Sequence, residues 1–363
     1  MPFREIIVIL QLRLHKLGKC RLECVMRYNH FLLRIIEIMT YLILIAGLAM
    51  LLFGADKLVD ASVAIAKRAQ LSDFVIGVTI VGMGTSAPEL FVSLSSAISG
   101  HGDLALGNVM GSNICNTLLI LGVTAVILPF GITHSNLRRD IPFSIILSFL
   151  LMLLCCDSIF PHIDDDEIGR LDGFFLLLVF LCYIGYTFLA SKQNAAPEPE
   201  QPADKPEKTF FTGRPMWVLV PGAIVSLAVL LTGGNLFLDS AVEIAKELGM
   251  SEKTISITIV ALGTSLPELI TCIIAARKGN PQLALGNVLG SNVFNVMLIL
   301  GISAMISPIV LKDINMIDFG VLILSSVLTF IFAFTLRRNV IDRAEGALLL
   351  ILYAAYTGWL LWG

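Results

Sequence analysis

Long apolar runs, not alternation, set the pattern of this chain. Ten stretches are built mainly from Leu, Ile, Val, Phe, Ala and Gly, near residues 41–60, 74–98, 105–129, 141–157, 171–190, 216–236, 254–276, 284–309, 317–336 and 345–362. Several approach or exceed the roughly 18–20 residues that cross a bilayer as a helix. Period-two alternation is not evident within them, which argues against a transmembrane β-barrel. The expected fold is all-α and integral to the membrane, with ten transmembrane helices.

Between the fifth and sixth stretches, residues 191–215 read SKQNAAPEPEQPADKPEKTFFTGRP. Pro, Glu and Lys at that density suit a solvated linker, and the segment is too short to hold a folded regulatory domain. It divides the chain into five-helix halves at 39–190 and 216–363.

Composition agrees with the pattern. Hydrophobic residues make up 56% of the 363, charged residues 15%, and the mean hydropathy is +0.86. A soluble chain of this length cannot hide that much apolar surface from water. The net charge of −3 and the scatter of Lys and Arg give no nucleic-acid footprint. Seven cysteines (20, 24, 115, 155, 156, 182, 272) form no CxxC pair, and five sit in or beside apolar stretches. They read as small buried hydrophobes, not as disulfides or a metal site.

The Lys and Arg set an orientation. Loops after the odd-numbered stretches carry Lys57, Lys67, Arg68, Arg138, Arg139, Lys192, Lys205, Lys208, Arg214, Arg277, Lys278, Arg337, Arg338 and Arg343. Opposite loops carry only Arg170, Lys246, Lys253 and Lys312, with the acidic run Asp164–Glu167, expected as a wet loop. The linker should therefore face the cytoplasm and both ends of the ten-helix unit the exterior. Residues 1–38, rich in Arg and Lys, break this rule and match neither a signal nor a transit peptide closely. The expectation is that Met39 is the physiological start and 1–38 a mis-assigned extension.

A repeat organises the rest. A shift of 179 positions aligns GTSAPEL (84–90) with GTSLPEL (263–269) and LALGNVMGSNICN (104–116) with LALGNVLGSNVFN (283–295). The same shift pairs Gly54 with Gly233, Asp60 with Asp239, Gly122 with Gly301 and Pro129 with Pro308, without a gap. Apolar segments can match by chance, but not polar residues in register. Five crossings separate equivalent helices, an odd number, so the copies should run in opposite directions: two inverted five-helix repeats, as in many secondary transporters.

Glu89 and Glu268 each lie well inside an apolar stretch. An ionised carboxylate there costs several kcal/mol unless it is paired, protonated or solvated by a cavity. Neither has a Lys or Arg in its own helix to pair with, so two converging glutamates require a cation or proton. Pro88 and Pro267 lack an N–H, which frees the carbonyls of Gly84 and Gly263. Thr85, Ser86, Ser112, Asn116, Thr264, Ser265, Ser291 and Asn295 add further oxygens. Hard oxygen donors without His or Cys favour Ca²⁺ and Na⁺ over zinc or copper. Each serine taken alone fits ordinary helix–helix hydrogen bonding equally well, and Asn113 and Asn292 fit a scaffold role. Asp56, Asp60 and Asp239, near the ends of stretches, read as caps or solvated charges.

The paired GTSxPEL and GNVxGSNxxN segments resemble the repeats of the calcium/cation antiporter superfamily, closest to compact prokaryotic sodium/calcium exchanger-like proteins. The resemblance covers residues 41–362. It implies exchange of Ca²⁺ for Na⁺ by alternating access. Glu89 and Glu268 would be the shared central carboxylates, completed by Asn116 and Asn295. Thr85, Thr264, Gly82 and Ala261 would offer backbone carbonyls, and Ser86, Ser112, Ser265 and Ser291 side-chain oxygens. Asn at both 116 and 295, where some relatives have Asp at the second place, argues against potassium co-transport. The proton-coupled branch shows Asn-Ala-Thr before its Glu, unlike this chain. The remaining rivals are a proton- or potassium-coupled exchanger of the same architecture and a cation channel. The expected unit is a monomer in the cell inner (plasma) membrane, with the lipid bilayer and transported Ca²⁺ and Na⁺ as partners. No cofactor, nucleic acid or enzymatic activity is implied.

Overall fold

The computed structural model describes residues 19–155, 166–193, 209–250, 255, 259, 261–311, 316–335 and 339–362. The chain is mostly helical. In order the helices are α1 (Lys19–Ala69), α2 (Asp73–Thr85), α3 (Ala87–Ile98), α4 (Gly102–Ile127), α5 (Ile141–Leu154) and α6 (Arg170–Gln193). They continue as α7 (Met216–Glu247), α8 (Ala261–Gly263), α9 (Leu266–Arg277), α10 (Pro281–Ile306), α11 (Met316–Phe332) and α12 (Arg343–Trp362). Helical residues occur in all ten apolar stretches. Among the described residues, six helices are long and apolar enough to cross a membrane by themselves, or seven if α2 and α3 are one bent span. The protein is a multi-pass membrane protein.

Two departures from the apolar pattern matter. First, α1 continues past residue 60 to Ala69, because Ala61, Ile65 and Ala66 keep packing on the bundle. Lys67 and Arg68 are thus helical, not loop residues. The helix also extends back to Lys19 without a break at residue 38, while residues 1–18 lie outside the described region. Second, the stretches carrying the glutamates are not continuous helices. The bend between α2 and α3 is 49°, at Ser86 (φ −78°, ψ 10°). Ser265 occupies the same conformation (φ −89°, ψ 6°) between α8 and α9. Pro88 and Pro267 fall in the first turn after each break, where a missing N–H costs nothing.

Burial sorts the helices into two layers. α4 and α10 are the inner pair, 72% and 78% buried over their apolar windows, whereas α1 and α7 are each 28% buried. α1 and α7 cross on glycines in mutually reciprocal fashion: a Cβ on Gly54 would come within 2.5 Å of Leu230 N, and one on Gly233 within 2.5 Å of Leu51 N. Gly54/Gly233 and Leu51/Leu230 are both pairs related by the 179-residue shift. Gly122 and Gly301 repeat the device against Gly346 of α12 and Gly173 of α6. Both α4 and α10 contain a π-helical turn, Cys115–Ile120 and Phe294–Ile299, again in register with the shift.

Short strands staple the ends. β1 (Phe130–Gly131) pairs antiparallel with β4 (Val340–Ile341), and β2 (Asp166–Ile168) with β3 (Ile309–Leu311). The acidic run expected to be a wet loop is therefore partly strand: Asp166 faces Leu311 and Glu167 faces Val310, while 164 and 165 lie outside the described residues. Asp56 and Asp60 are not caps or solvated charges. Lys278, following α9, places its Nζ 2.6 Å from Asp56 Oδ1 and 2.6 Å from Asp60 Oδ1, a tertiary pairing between residues more than 200 positions apart. Asp239 is exposed and makes no ion pair. Cys115, Cys155 and Cys272 are free and buried, and Cys182 is free and exposed. Most of the 191–215 linker lies outside the described residues; at its end, Phe211 packs against Gly222 of α7.

Candidate cation site

The two helix breaks and the two π turns meet at the centre of the bundle. At each break the chain turns so that the serine before one glutamate reaches the other. Ser86 Oγ donates to Glu268 Oε1 at 3.1 Å, and Ser265 Oγ donates to Glu89 Oε1 at 3.4 Å. Both glutamates are buried to 1% exposure and lie within electrostatic reach of each other. No Lys, Arg or His pairs with either among the described residues.

The π turns deliver the asparagines. Asn116 Nδ2 donates to Asn292 Oδ1 at 3.1 Å, and Asn295 Nδ2 donates to Asn113 Oδ1 at 3.0 Å. Asn113 Nδ2 bonds the Asn292 carbonyl at 3.3 Å, and Asn292 Nδ2 the Thr117 hydroxyl at 2.9 Å. Asn113 and Asn292 are thus consumed as scaffold. Asn116 and Asn295 each spend their donor on that scaffold, which leaves their carbonyl oxygens to the interior.

At this centre, among the described residues, four buried oxygens have no hydrogen-bond donor: Glu89 Oε2, Glu268 Oε2, Asn116 Oδ1 and Asn295 Oδ1. They are acceptors only and form two pairs under the 179-residue shift. An acceptor buried without a donor is costly, and a carboxylate more so. Four gathered at one centre could be satisfied by a cation or a proton. No group of three or more His, Cys, Asp and Glu gathers among the described residues, so the donor set is two carboxylates plus neutral oxygens. That set suits a hard ion.

The flanking residues are arranged around this centre. The Thr85 hydroxyl is occupied within the protein, 3.0 Å from the Val81 carbonyl and 3.3 Å from Asn287 Oδ1, so a carbonyl is what Thr85 could offer an ion. Ser291 Oγ lies 3.4 Å from the Gly82 carbonyl, bringing these two candidates together across α2 and α10. Ser112 and Thr264 are buried beside them, and Ala261 opens α8. Two residues outside the expected set emerge. Asn108 Nδ2 bonds the Glu89 carbonyl at 3.3 Å and Ser93 Oγ at 2.9 Å. Asn287 Nδ2 bonds the Glu268 carbonyl at 3.5 Å and Cys272 Sγ at 3.2 Å. Each clamps the backbone of a glutamate helix, and both sit in the repeated GNV segment, which carried the signal.

A many-helix membrane bundle closed around lone anionic and carbonyl oxygens defines a class: membrane transporters that handle cations. Known proteins narrow it. The model of the family described as "Sodium/calcium exchanger protein" matches residues 39–189 and 218–362, and the chain belongs to that family. The putative antiporter CaxA of Alkalimonas amylolytica is 35% identical over 86% of this chain and 95% of its own length. Sodium/calcium exchanger MaX1 of Methanosarcina acetivorans is 31% identical over 87% of this chain and 97% of its own. A solved structure of the sodium-calcium exchanger NCX_Mj, soaked with 2.5 mM Na⁺ and 0.1 mM Ca²⁺, superposes with a TM-score of 0.73 at 29% identity, covering 88% of this chain and 98% of that one. The protein is an antiporter of this family, not an enzyme.

Proposed function

We propose that this protein exchanges Ca²⁺ for Na⁺ across the plasma membrane by alternating access, as a monomer of ten spans arranged in two inverted repeats. One observation carries the reading: the four donorless oxygens of Glu89, Glu268, Asn116 and Asn295. Ca²⁺ neutralises the glutamate pair in one occupancy. In the other, several Na⁺ spread over the flanking oxygens of Ser86, Ser112, Ser265 and Ser291 and the carbonyls of Gly82, Thr85, Ala261 and Thr264. Only neutralised forms cross between faces, because an empty dianionic centre is too costly to enclose. The reciprocal serine–glutamate and asparagine–asparagine bonds support the inverted pairing of the halves. The names of the relatives support Na⁺ and Ca²⁺ as the ions.

The test is radiocalcium flux in proteoliposomes under separately imposed Na⁺, K⁺ and H⁺ gradients. A Na⁺ gradient alone should drive Ca²⁺ uptake. Uptake driven by a pH gradient instead reassigns the coupling ion, and flux independent of any counter-ion makes the protein a channel. Glu89→Gln and Glu268→Gln should each abolish the flux while the protein still inserts.

A further inference from the structure

One end of the bundle carries an ion-pair cluster that the repeat counterpart positions cannot form. Lys278 Nζ has three protein acceptors: Asp56 Oδ1 at 2.6 Å, Asp60 Oδ1 at 2.6 Å and the Asp56 carbonyl at 2.9 Å. An ammonium has three N–H groups, so its capacity is filled. Lys57 adds a second cation, 2.9 Å from Asp56 Oδ2 and 3.8 Å from Asp60 Oδ2. The Asp60 side chain is 7% exposed. Under the 179-residue shift the opposite end offers Ser99 for Lys278, Asn235 for Asp56 and Leu236 for Lys57. Asp239, the counterpart of Asp60, is exposed and without an ion pair among the described residues.

The helices joined by Lys278 belong to different layers. α9 carries Glu268, whereas α1 is locked to α7 through the glycine crossing. α7 in turn covers both breaks: a Cβ on Gly84 would meet Leu227 at 2.6 Å, and one on Gly263 would meet Leu238 at 2.2 Å. The α1/α7 pair is therefore the cover of the site, and Lys278 fastens it to the site-bearing layer at the end where Asp56 and Asp60 lie. That end lies with the basic loops, on the cytoplasmic side.

We propose that Lys278 is a positioning residue that sets the sidedness of the exchanger: its pairs with Asp56 and Asp60 hold the cytoplasmic end shut, so the resting site faces outward. This rests on the exchange reading above. A buried carboxylate that loses its cation is strongly disfavoured, so opening that end must be offset by ion binding, whereas the counterparts Ser99, Asn235 and Leu236 cannot form the same pairs at the opposite end. Population-shift reasoning then ties apparent affinity on each face to the fraction of carriers facing it.

Lys278→Met, which keeps the apolar stem, should lower the half-saturating Ca²⁺ at the cytoplasmic face about five- to tenfold and raise it at the other face. The exchange Asp60→Lys with Lys278→Asp should restore the wild-type asymmetry. Equal shifts on both faces, or none, overturn the proposal. A second measurement does not need transport. Leu227→Cys, at the residue that covers the Gly84 break from the cytoplasmic half of α7, probed with a membrane-impermeant maleimide from the cytoplasmic side, should label several-fold faster when combined with Lys278→Met. Unchanged labelling overturns the latch even if exchange is intact. Faster labelling in a protein that exchanges nothing upholds the latch and fails the exchange reading instead.

Discussion

The centre of the molecule and its rim treat the duplication differently. At the centre the copies match closely: Ser86 and Ser265 bond the opposite glutamates, and Asn116 and Asn295 bond Asn292 and Asn113 in reciprocal fashion across the bundle. At the rim they do not, and the Lys278–Asp60 pair has no counterpart. A cation shared by both halves, as proposed, would constrain donor chemistry equally on each side. The ends meet different solutions and are free to diverge. Identity between the repeats therefore marks the shared frame of the centre, its scaffold as well as its free oxygens, and disparity marks where the two ends differ.

The strongest way to break this comparison is through the glutamates. Glu89→Gln and Glu268→Gln should each lose more than about a hundredfold in Ca²⁺ affinity, since removing one charged partner of a buried set costs about 3–5 kcal/mol. Isothermal calorimetry on purified protein checks this, and an unaffected partner would mean that only one half binds the ion. Next, Gly54→Val and Gly233→Val should each lower detergent stability by about 1–3 kcal/mol, because each new side chain meets backbone at the α1/α7 crossing. Matched losses in thermal unfolding sharpen the symmetry of that crossing. Asn116→Ala and Asn295→Ala should weaken Ca²⁺ binding by about tenfold each, as expected for one lost ligand and an exposed scaffold acceptor. Ser265→Ala should change the sodium dependence of exchange by a few fold and the calcium affinity less, consistent with about 1 kcal/mol for one hydroxyl. Equal effects on both ions argue against separate sodium positions. Smallest of all, Asp239→Asn should leave flux within about twofold of wild type, since a solvated surface charge contributes little.

Much of this was legible in the chain itself. Apolar runs marked where helices lie, and the repeated polar segments pointed to both glutamates and both terminal asparagines, because duplication and burial act on one residue at a time. What escaped needed a partner. The breaks fell at Ser86 and Ser265, midway between the prolines and the glycine carbonyls of the proline argument, since Pro88 and Pro267 begin new helices and do not kink old ones. The length of α1 depends on neighbours that bury Ala61, Ile65 and Ala66. Lys278 looked like a loop cation because its two aspartates are remote in sequence. Asn108 and Asn287 stood in plain view within a repeated motif, but only the fold shows the carbonyls they hold.

The π turns have a consequence for the inner helices. A wide turn carries an extra residue, which advances the phase of everything beyond it by about 100° relative to a regular helix. In α4, Asn113 precedes the wide turn, Asn116 is its second residue, and Gly122, seated against Gly346, follows it. The helix thereby aims its polar segment inward and its small residue at an outer neighbour without asking one regular spiral to satisfy both. Excising a single residue from 117–120, or from the matching turn of α10, would swing one target out of line however faithfully every ligand was kept.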